Sequence, residues 1–457
     1  MSELQRAFGV LAGVRPLSVC EAADGDRDGE VTTGEFEAAI RSVFSTPETC
    51  PRIQPQAPGA CFDARVVPLE EEGQPVALAL GNLDFDPFPE VLVVDSAAHS
   101  IVVLDNRGGR NVVLSGPSRF VGDNTFPSSV TTFRKNLDQL DDFAIVRAAT
   151  AEEESAEICL GCLTYWQSSG DVFLPRTLAV GLDPVQVLAA DLDRDGDDDL
   201  VVANSADDTL TVLRNDASDG FPERRDLRTA SFLSAATAAD VDGDGLPELL
   251  SAGLDGVTIH RNSGEFAFSS CPDCPLLPAR GAAVFVEVAD LDGDGRADLL
   301  VGESFPSLLS VRRGLGGGEF EDTPRQLALE DEPGKGKTGD FDGNGRRDVA
   351  VTLPNADTVV LFLQRHDGTF DRLELSPPPG AGPSDLAVGD LDLDGRLDLV
   401  VAAEVESTIT FYFGDPCPDA SRRSRPWSPA RTPSRSITIA YRKSRSSSAP
   451  RTSRPFR

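Results

Sequence analysis

Asp191-Leu-Asp193-Arg-Asp195-Gly196-Asp-Asp-Asp199, running straight into Leu200-Val-Val-Ala203, is the stretch whose reading decides the fold. Carboxylates stand at positions 1, 3, 5 and 9 of this loop, with glycine at position 6. Alternate side chains of a turning backbone point inward together, and a hard cation such as calcium takes about six to eight oxygens at about 2.3–2.6 Å. The glycine supplies a positive φ that a bulkier residue resists. The apolar run after it reads as a strand buried on both faces.

The pattern returns at Asp240/Asp242/Asp244/Glu248, Asp290/Asp292/Asp294/Asp298, Asp340/Asp342/Asn344/Asp348 and Asp390/Asp392/Asp394/Asp398. From 191 to 240 the step is 49 residues, and from there to 290, 340 and 390 it is 50 each time. Upstream the phase persists while the ligands decay. Asn82/Asp84/Asp86/Glu90 keeps four oxygens but has Pro87 in the glycine's place, and Arg134/Asn136/Asp138/Asp142 has lost the site. The chain therefore holds seven units, and a period near 50 residues is the mark of a repeat architecture.

Within the third unit, Val185–Ala190 leads into the loop, Leu200–Ala203 leaves it and Thr209–Leu213 alternates. A Gly220-Phe221 turn then opens a polar outer strand, Arg224–Thr229. That turn recurs as Gly264-Glu-Phe266, Gly318-Glu-Phe320 and Gly368-Thr-Phe370. Four strands per unit and seven units predict an all-β, seven-bladed β-propeller of four-stranded blades, in which neighbouring blades bury one another's faces. The segment Gly59–Leu69 resembles an outer strand, whereas the seventh unit stops after Ile409–Phe413 without one. We expect the first to complete the last, closing the ring, with Cys61 and Cys417 near enough to pair.

Loop, strand and turn together resemble the FG-GAP/VCBS repeat family, whose members include the integrin α-subunit propeller and several bacterial surface proteins. The resemblance spans nearly all of residues 59–416. It implies calcium in the loop joining the first and second strands of a blade, and an adhesive or ligand-binding role. About five propeller sites are expected, at the loops beginning with Asp191, Asp240, Asp290, Asp340 and Asp390. A backbone carbonyl of Asp197, Leu246, Arg296, Arg346 or Arg396 completes each. The calcium is expected to be structural: the side-chain oxygens are consumed in holding it, and no imidazole stands nearby to build an activated-water site.

Residues 1–52 carry a second kind of calcium loop. Asp24, Asp26, Asp28, Glu30, Thr32 and Glu35 occupy the liganding positions of a twelve-residue EF-hand, followed by an amphipathic helical pattern through Phe36, Ile40, Val43 and Phe44. Glu3–Leu11 matches Glu35–Val43 in register, so Glu3 reads as the last ligand position of another hand whose loop is missing. The pair resembles dockerin-like modules, a family used for docking onto partner proteins. The expectation is a small α-helical EF-hand module with one calcium site, in a chain that starts inside it. Residues 53–58 read as a stiff linker.

Residues 417–457 turn abruptly to Arg, Ser and Pro and read as a disordered basic tail. The whole chain nevertheless carries a net charge of −33, which argues against nucleic acid as a partner of the body and for cations. No apolar run approaches the length of a membrane span. Eight cysteines suit a secreted or cell-surface protein, and local disulfides are favoured over half zinc sites at Cys159/Cys162 and Cys271/Cys274. Cys20 and Cys50 bracket the surviving hand and are candidates for a third bridge.

His99, His260 and His366 lie in different repeats and read as surface or turn residues rather than bases. Tyr165-Trp166 leaves two readings open, a platform for a sugar ring or cover for an extended loop. No phosphate loop or nucleophile motif appears, so no catalysis is expected. The expected function is an exported calcium-binding propeller that recognises a protein or glycan ligand on the face opposite the calcium loops. Its alternatives are a lyase-like polysaccharide enzyme on the same propeller, or a scaffold protein docking through the EF-hand module.

Overall fold

A four-stranded sheet with a continuous apolar second strand has two faces to cover, and a ring of such sheets covers both. The computed structural model describes residues 60–415 apart from 70–72, 115–118, 121–125, 137–139, 149–160, 169–172, 218–219, 230–231, 270–274 and 376–380. The EF-hand ligands Asp24–Glu35, the linker, the basic tail, and Cys20, Cys50, Cys159, Cys271, Cys274 and Cys417 lie outside the described residues.

Seven antiparallel sheets follow one another along the chain. In blade 3 the strands are Pro184–Ala190, Asp199–Asn204, Thr209–Arg214 and Glu223–Arg228, paired in that order. The first strands of consecutive blades touch all the way round, that of blade 7 (Pro383–Gly389) meeting that of blade 1 (Pro75–Gly81). Serine hydroxyls tie three of these seams: Ser128 Oγ donates to Pro184 O at 2.7 Å, Ser234 Oγ to Ala283 O at 2.6 Å and Ser384 Oγ to Pro75 O at 2.7 Å.

The core is divided into seven apolar clusters, one at each interface between neighbouring blades. The second strands explain their continuous hydrophobicity. Leu200 and Val202 face blade 2, while Val201 and Ala203 face blade 4, so the two-residue period serves two interfaces at once. Every residue of Asp199–Asn204, Asp348–Leu353 and Asp398–Ala403 is buried.

Closure follows the expected route. Cys61–Pro68 pairs with Thr408–Asp415 over its whole length, from Cys61 opposite Asp415 to Pro68 opposite Thr408, and supplies the outer strand of blade 7. Both Cys61 and Cys162 are disulfide-bonded.

Three blades depart from the simple pattern. The outer edge of blade 1 is in two pieces, Val112–Leu114 and Arg119–Phe120, both on Ser100–Asn106. In blade 4 the Gly264-Glu-Phe266 turn is clasped by a single bridge between Asn262 and Phe268, and the outer strand waits until Leu276–Pro278. In blade 5 the corresponding turn forms its own ribbon, Gly314–Gly316 with Glu319–Phe320.

Tyr165 and Trp166 are buried: Trp166 stacks on Phe143 at 4.9 Å, and Tyr165 meets Phe221 edge-on at 5.3 Å. Both rings are packed in the cores between blades, and neither offers a platform for a sugar ring. His260 is buried as well, its Nδ1 3.0 Å from Ser269 O, which corrects the expectation of a surface or turn position. It sits on the third strand of blade 4, where the outer neighbour is displaced and the chain folds back over it.

Candidate metal centres and the two faces of the ring

The loops singled out in the sequence all join first to second strands, so they share one face of the ring. Each curls through two left-handed residues. Position 6 is glycine with φ between 82° and 98° at Gly196, Gly245, Gly295, Gly345 and Gly395. Position 4 is left-handed too, at Gly243, Gly293 and Gly343 but also at Arg194 (φ 63°) and Leu393 (φ 59°). This second turn was not read in the sequence, because two of its five residues are not glycine. At Gly245 a Cβ would also strike the Arg194 guanidinium of blade 3, which donates to the Asp244 and Gly245 carbonyls and so joins adjacent loops.

The carboxylates divide their oxygens between the loop and its centre. Position 1 accepts from the position 6 N–H, as at Asp290 and Gly295 (2.9 Å) or Asp340 and Gly345 (2.8 Å). Position 3 accepts from the amide of position 5 (Asp292 from Asp294, 3.1 Å), and position 5 from that of position 7 (Asp294 from Arg296, 2.9 Å). In the blade 3 loop Asp191 Oδ1, Asp193 Oδ1 and Asp197 Oδ2 are buried without a hydrogen-bond partner. Buried carboxylate oxygens left in this way are costly unless a cation meets them, so the donor set fits calcium.

Oxygens within 4.8 Å of one another come from Asp191, Asp193 and Asp195, from Asp240, Asp242 and Glu248, from Asp290, Asp292 and Asp294, and from Asp340, Asp342 and Asp348. In blade 1 the group is Asp84, Glu90 and Asp105. Asp105 comes from the third strand, a contributor the loop sequence alone does not disclose.

Position 5 makes further contacts in blades 6 and 7. Asn344 bonds through its amide within the loop and to the end of the third strand. Its Oδ1 accepts from Arg346 N at 2.7 Å, and its Nδ2 donates to Asp342 Oδ2 at 3.1 Å and to Gln364 O at 3.0 Å. The amide thus turns a donor, not an oxygen, towards its neighbouring acid, because Asp342 offers a nearby acceptor and asparagine alone of these residues has N–H groups to give. Asp394 keeps the hydrogen bond of its position, accepting from Arg396 N at 2.9 Å, but its other oxygen faces the Arg110 guanidinium at 3.8 Å. A fixed positive charge there competes with a bound cation for that oxygen. In blade 4, Asp244 likewise accepts from Leu246 N at 2.8 Å and stands outside the converging trio.

The ninth-position acid has a second job. Both of its oxygens serve the backbone: Asp199 accepts from Leu192 N (3.0 Å) and from Asn215 N beyond the third strand (2.7 Å). Asp298, Asp348 and Asp398 repeat the pair with Leu291 and Gly314, Phe341 and Gln364, and Leu391 and Gly414. Burial pushes Asp199 and Asp348 up to about 7 and Asp398 to about 6, against those hydrogen bonds and with help from neighbouring carboxylates. Glu90 is likewise pushed up to about 7.

Arginines oppose the third-position acids. Arg214 meets Asp193 at 2.5 Å, Arg313 meets Asp292 at 2.6 Å and Arg261 meets Asp242 at 3.5 Å. In blade 7 the arginine comes from another blade: Arg110 of blade 1 meets Asp392 at 2.6 Å and Asp415 at 2.7 Å.

The Gly-aromatic turns lie on this same face, and their aromatic rings bind neighbouring blades together. Phe266 shares a cluster with Leu192 of the preceding blade's loop, Phe320 with Val241, and Phe370 packs on the cluster of Leu291. Loop and turn recur together because each is half of a joint between blades.

On the opposite face, the connections from second to third strand and from one blade to the next, with the first residue of the blade 2 entry strand, carry exposed apolar side chains: Leu182, Phe232, Leu254, Phe305 and Val405, and Phe126. Phe305 is 83% exposed, at a left-handed position. The calcium-loop face exposes Phe85, Leu315 and Leu393.

The FG-GAP-like repeat family matches residues 191–251, 240–301 and 340–401, which cover the loops and following strands of blades 3, 4, 6 and part of 5 and 7. The chain thus carries FG-GAP-like repeats on a seven-bladed β-propeller. Among solved structures, BBS1N in complex with ARL6DN is similar over 78% of this chain and 98% of that one, with a TM-score of 0.55 and 11% identity. A virginiamycin B lyase from Staphylococcus aureus matches over 77% and 99% (TM-score 0.50, 11% identity). A streptogramin B lyase matches over 78% and 98% (TM-score 0.50, 14% identity). At such identities these likenesses concern the fold alone. No curated protein matches the chain in sequence. Among the described residues no helix is long and apolar enough to cross a membrane.

Proposed function

We propose that the protein is an exported recognition module rather than an enzyme, in which calcium on one face stiffens the ring and the opposite face engages a protein or glycan ligand. Calcium would be held by Asp191, Asp193, Asp195 and Asp199 and by their acidic counterparts in blades 4 to 7, where it would neutralise converging carboxylates and perform no chemistry. The observation that carries the reading is the separation of the faces. One is built of acid loops tied into their neighbours, and the other presents apolar side chains at three blade junctions and three turns within blades, where an isolated ring has no use for them.

The test begins with an array of glycans and matrix proteins probed in calcium. For the ligand found there, Phe305→Ala and Phe232→Ala are each expected to weaken binding about tenfold, the scale of an aromatic anchor. Phe85→Ala, on the calcium-loop face, is expected to leave it unchanged. Silence at both rim phenylalanines with loss at Phe85 would place recognition on the wrong face.

A further inference from the structure

The first strands of all seven blades enclose an axial cavity of about 520 Å³, a size suited to a small organic ligand. Much of its wall is neutral: Ala77, Ser129, Val187, Ala236 and Phe285 all line it. Apart from Arg347 in the blade 6 loop, charge is confined to one arc on blades 5 to 7, formed by Glu287, Lys335, Lys337 and Asp385.

Three of those four groups are matched. Lys337 Nζ donates to Glu287 Oε1. Asp385 Oδ2 accepts from Leu78 N at 2.8 Å, and its Oδ1 from Leu386 N at 2.9 Å. Lys335 differs: no carboxylate of the described residues lies within ion-pairing distance of its ammonium. Its backbone is fixed where the channel meets the second-to-third-strand face, since its N–H donates to Thr352 Oγ1 at 2.8 Å. Enclosure lowers the pKa of this amine, with Asp385 acting in the other direction.

Phe285 is packed into the wall beside it, its ring buried between blades 5 and 6. A Cβ added at Gly336 would lie 2.3 Å from Phe285 Cε2, and one at Gly302 would lie 2.1 Å from its Cε1. Two glycines on two blades therefore reserve the place of Phe285, next in space to a lysine that has no counter-ion among the described residues.

We propose that the axial channel binds a small organic carboxylate with an apolar body, its anion paired with the Lys335 ammonium and its body against the neutral wall. An enclosed ammonium gains a charge-assisted partner there, which is where the selectivity for an anion arises. The site rests on Lys335 and the first strands, and neither the acid ligands of the calcium loops nor the exposed rim phenylalanines line it, so its fate and theirs are read independently.

Benzoate is the probe, with benzamide as its uncharged match, followed by titration calorimetry in calcium. Benzoate is expected to bind with a Kd in the millimolar range or tighter, and benzamide about tenfold more weakly. Lys335→Met should weaken benzoate by a similar factor and Lys335→Arg should retain it. No binding to the natural chain at millimolar concentration, or equal binding to Lys335→Met, overturns the proposal. If Lys335→Met fails to fold, reductively 13C-methylated protein decides. The Lys335 methyl resonance, assigned by its absence from Lys335→Arg, should move with benzoate and not with benzamide, and an unmoved resonance overturns the site.

Discussion

Blades 2 and 3 are neighbours with the same four strands, yet one has lost its acid loop and the other has the most complete. In blade 2 the second loop position, buried and apolar elsewhere in the ring, is Lys135. Its ammonium donates to Asn215 Oδ1 and Gly220 O of blade 3, both at 2.8 Å, and lies 4.6 Å from the centre of the Phe221 ring. In blade 3 the same position is Leu192, packed with Phe266 of blade 4. The ninth-position acid survives in both: Asp142 accepts from Lys135 N at 3.3 Å, much as Asp199 accepts from Leu192 N. The difference teaches that the loop has two separable tasks. Fastening the blade to the next is done everywhere. Gathering oxygens around a centre is done only where the early loop positions remain acidic.

The largest test of that separation is to remove calcium. With dissociation constants of about 0.1–1 mM in about 1 mM calcium, each site contributes about 0.4–1.4 kcal/mol, and five together about 2–7 kcal/mol. Excess chelator should therefore lower the melting temperature by about 5–15 °C. An unchanged melt would break the comparison at once.

In chelator the pH dependence should also have a definite sign. Glu90, Asp199 and Asp348, held up to about 7, and Asp398, held up to about 6, keep protons that the unfolded chain releases above about pH 4. The stability these groups confer is full below the unfolded value and is lost as pH rises through the folded ones. The chelated protein should accordingly melt higher at about pH 5 than at about pH 7.5.

A smaller effect belongs to blade 2 alone. Lys135→Met removes the donor to two buried acceptors and should cost about 2–3 kcal/mol. The loss should be equal in calcium and in chelator, as differential scanning calorimetry can show. A loss that appears only with calcium present would mean that the two tasks are not separable.

The smallest change sharpens the comparison among the acid loops themselves. Leu393 holds a left-handed φ of 59° at a position that is glycine in blades 4, 5 and 6, and its side chain is exposed. Leu393→Gly should stabilise the ring by up to about 1 kcal/mol, detectable as a shift in the denaturant midpoint. A destabilised variant would mean the leucine has a contact of its own to defend.

The repeat period, the four strands and the closing strand were legible because each is a local pattern, a loop followed by a run or a turn followed by an alternation. The features that escaped reading lie between blades, where partners stand about one period apart in the chain. Nothing in the sequence says that Phe266 rests beside Leu192, or that Arg110 reaches Asp392 and Asp394 from the far end of the chain. The asparagines following third strands show the same limit. Asn106, Asn215 and Asn262 look like ordinary turn residues, but each donates its side-chain amide to a loop carbonyl of the preceding blade: Leu391, Arg134 and Leu192. The loop side chains were read as ligands throughout. That reading left out the backbone role of the ninth position, since an acid at a loop's end gives no hint of the N–H it meets beyond the third strand. It also left out that the Asn344 amide has two donors to place.

The closing strand has a mechanical consequence. Cys61 and Asp415 lie opposite each other, so the described ends of the ring leave it side by side, from the same end of one antiparallel pair. Tension applied between the segments that flank the propeller would load that pair one rung at a time, as a zip is opened, instead of shearing all its hydrogen bonds together. Such a seam yields at low force unless its first rung is locked. A lock is present: Arg110, anchored in blade 1, holds Asp415 on one strand at 2.7 Å and Asp63 on the other at 3.6 Å. Under load, one guanidinium holds the ring shut at its weakest point.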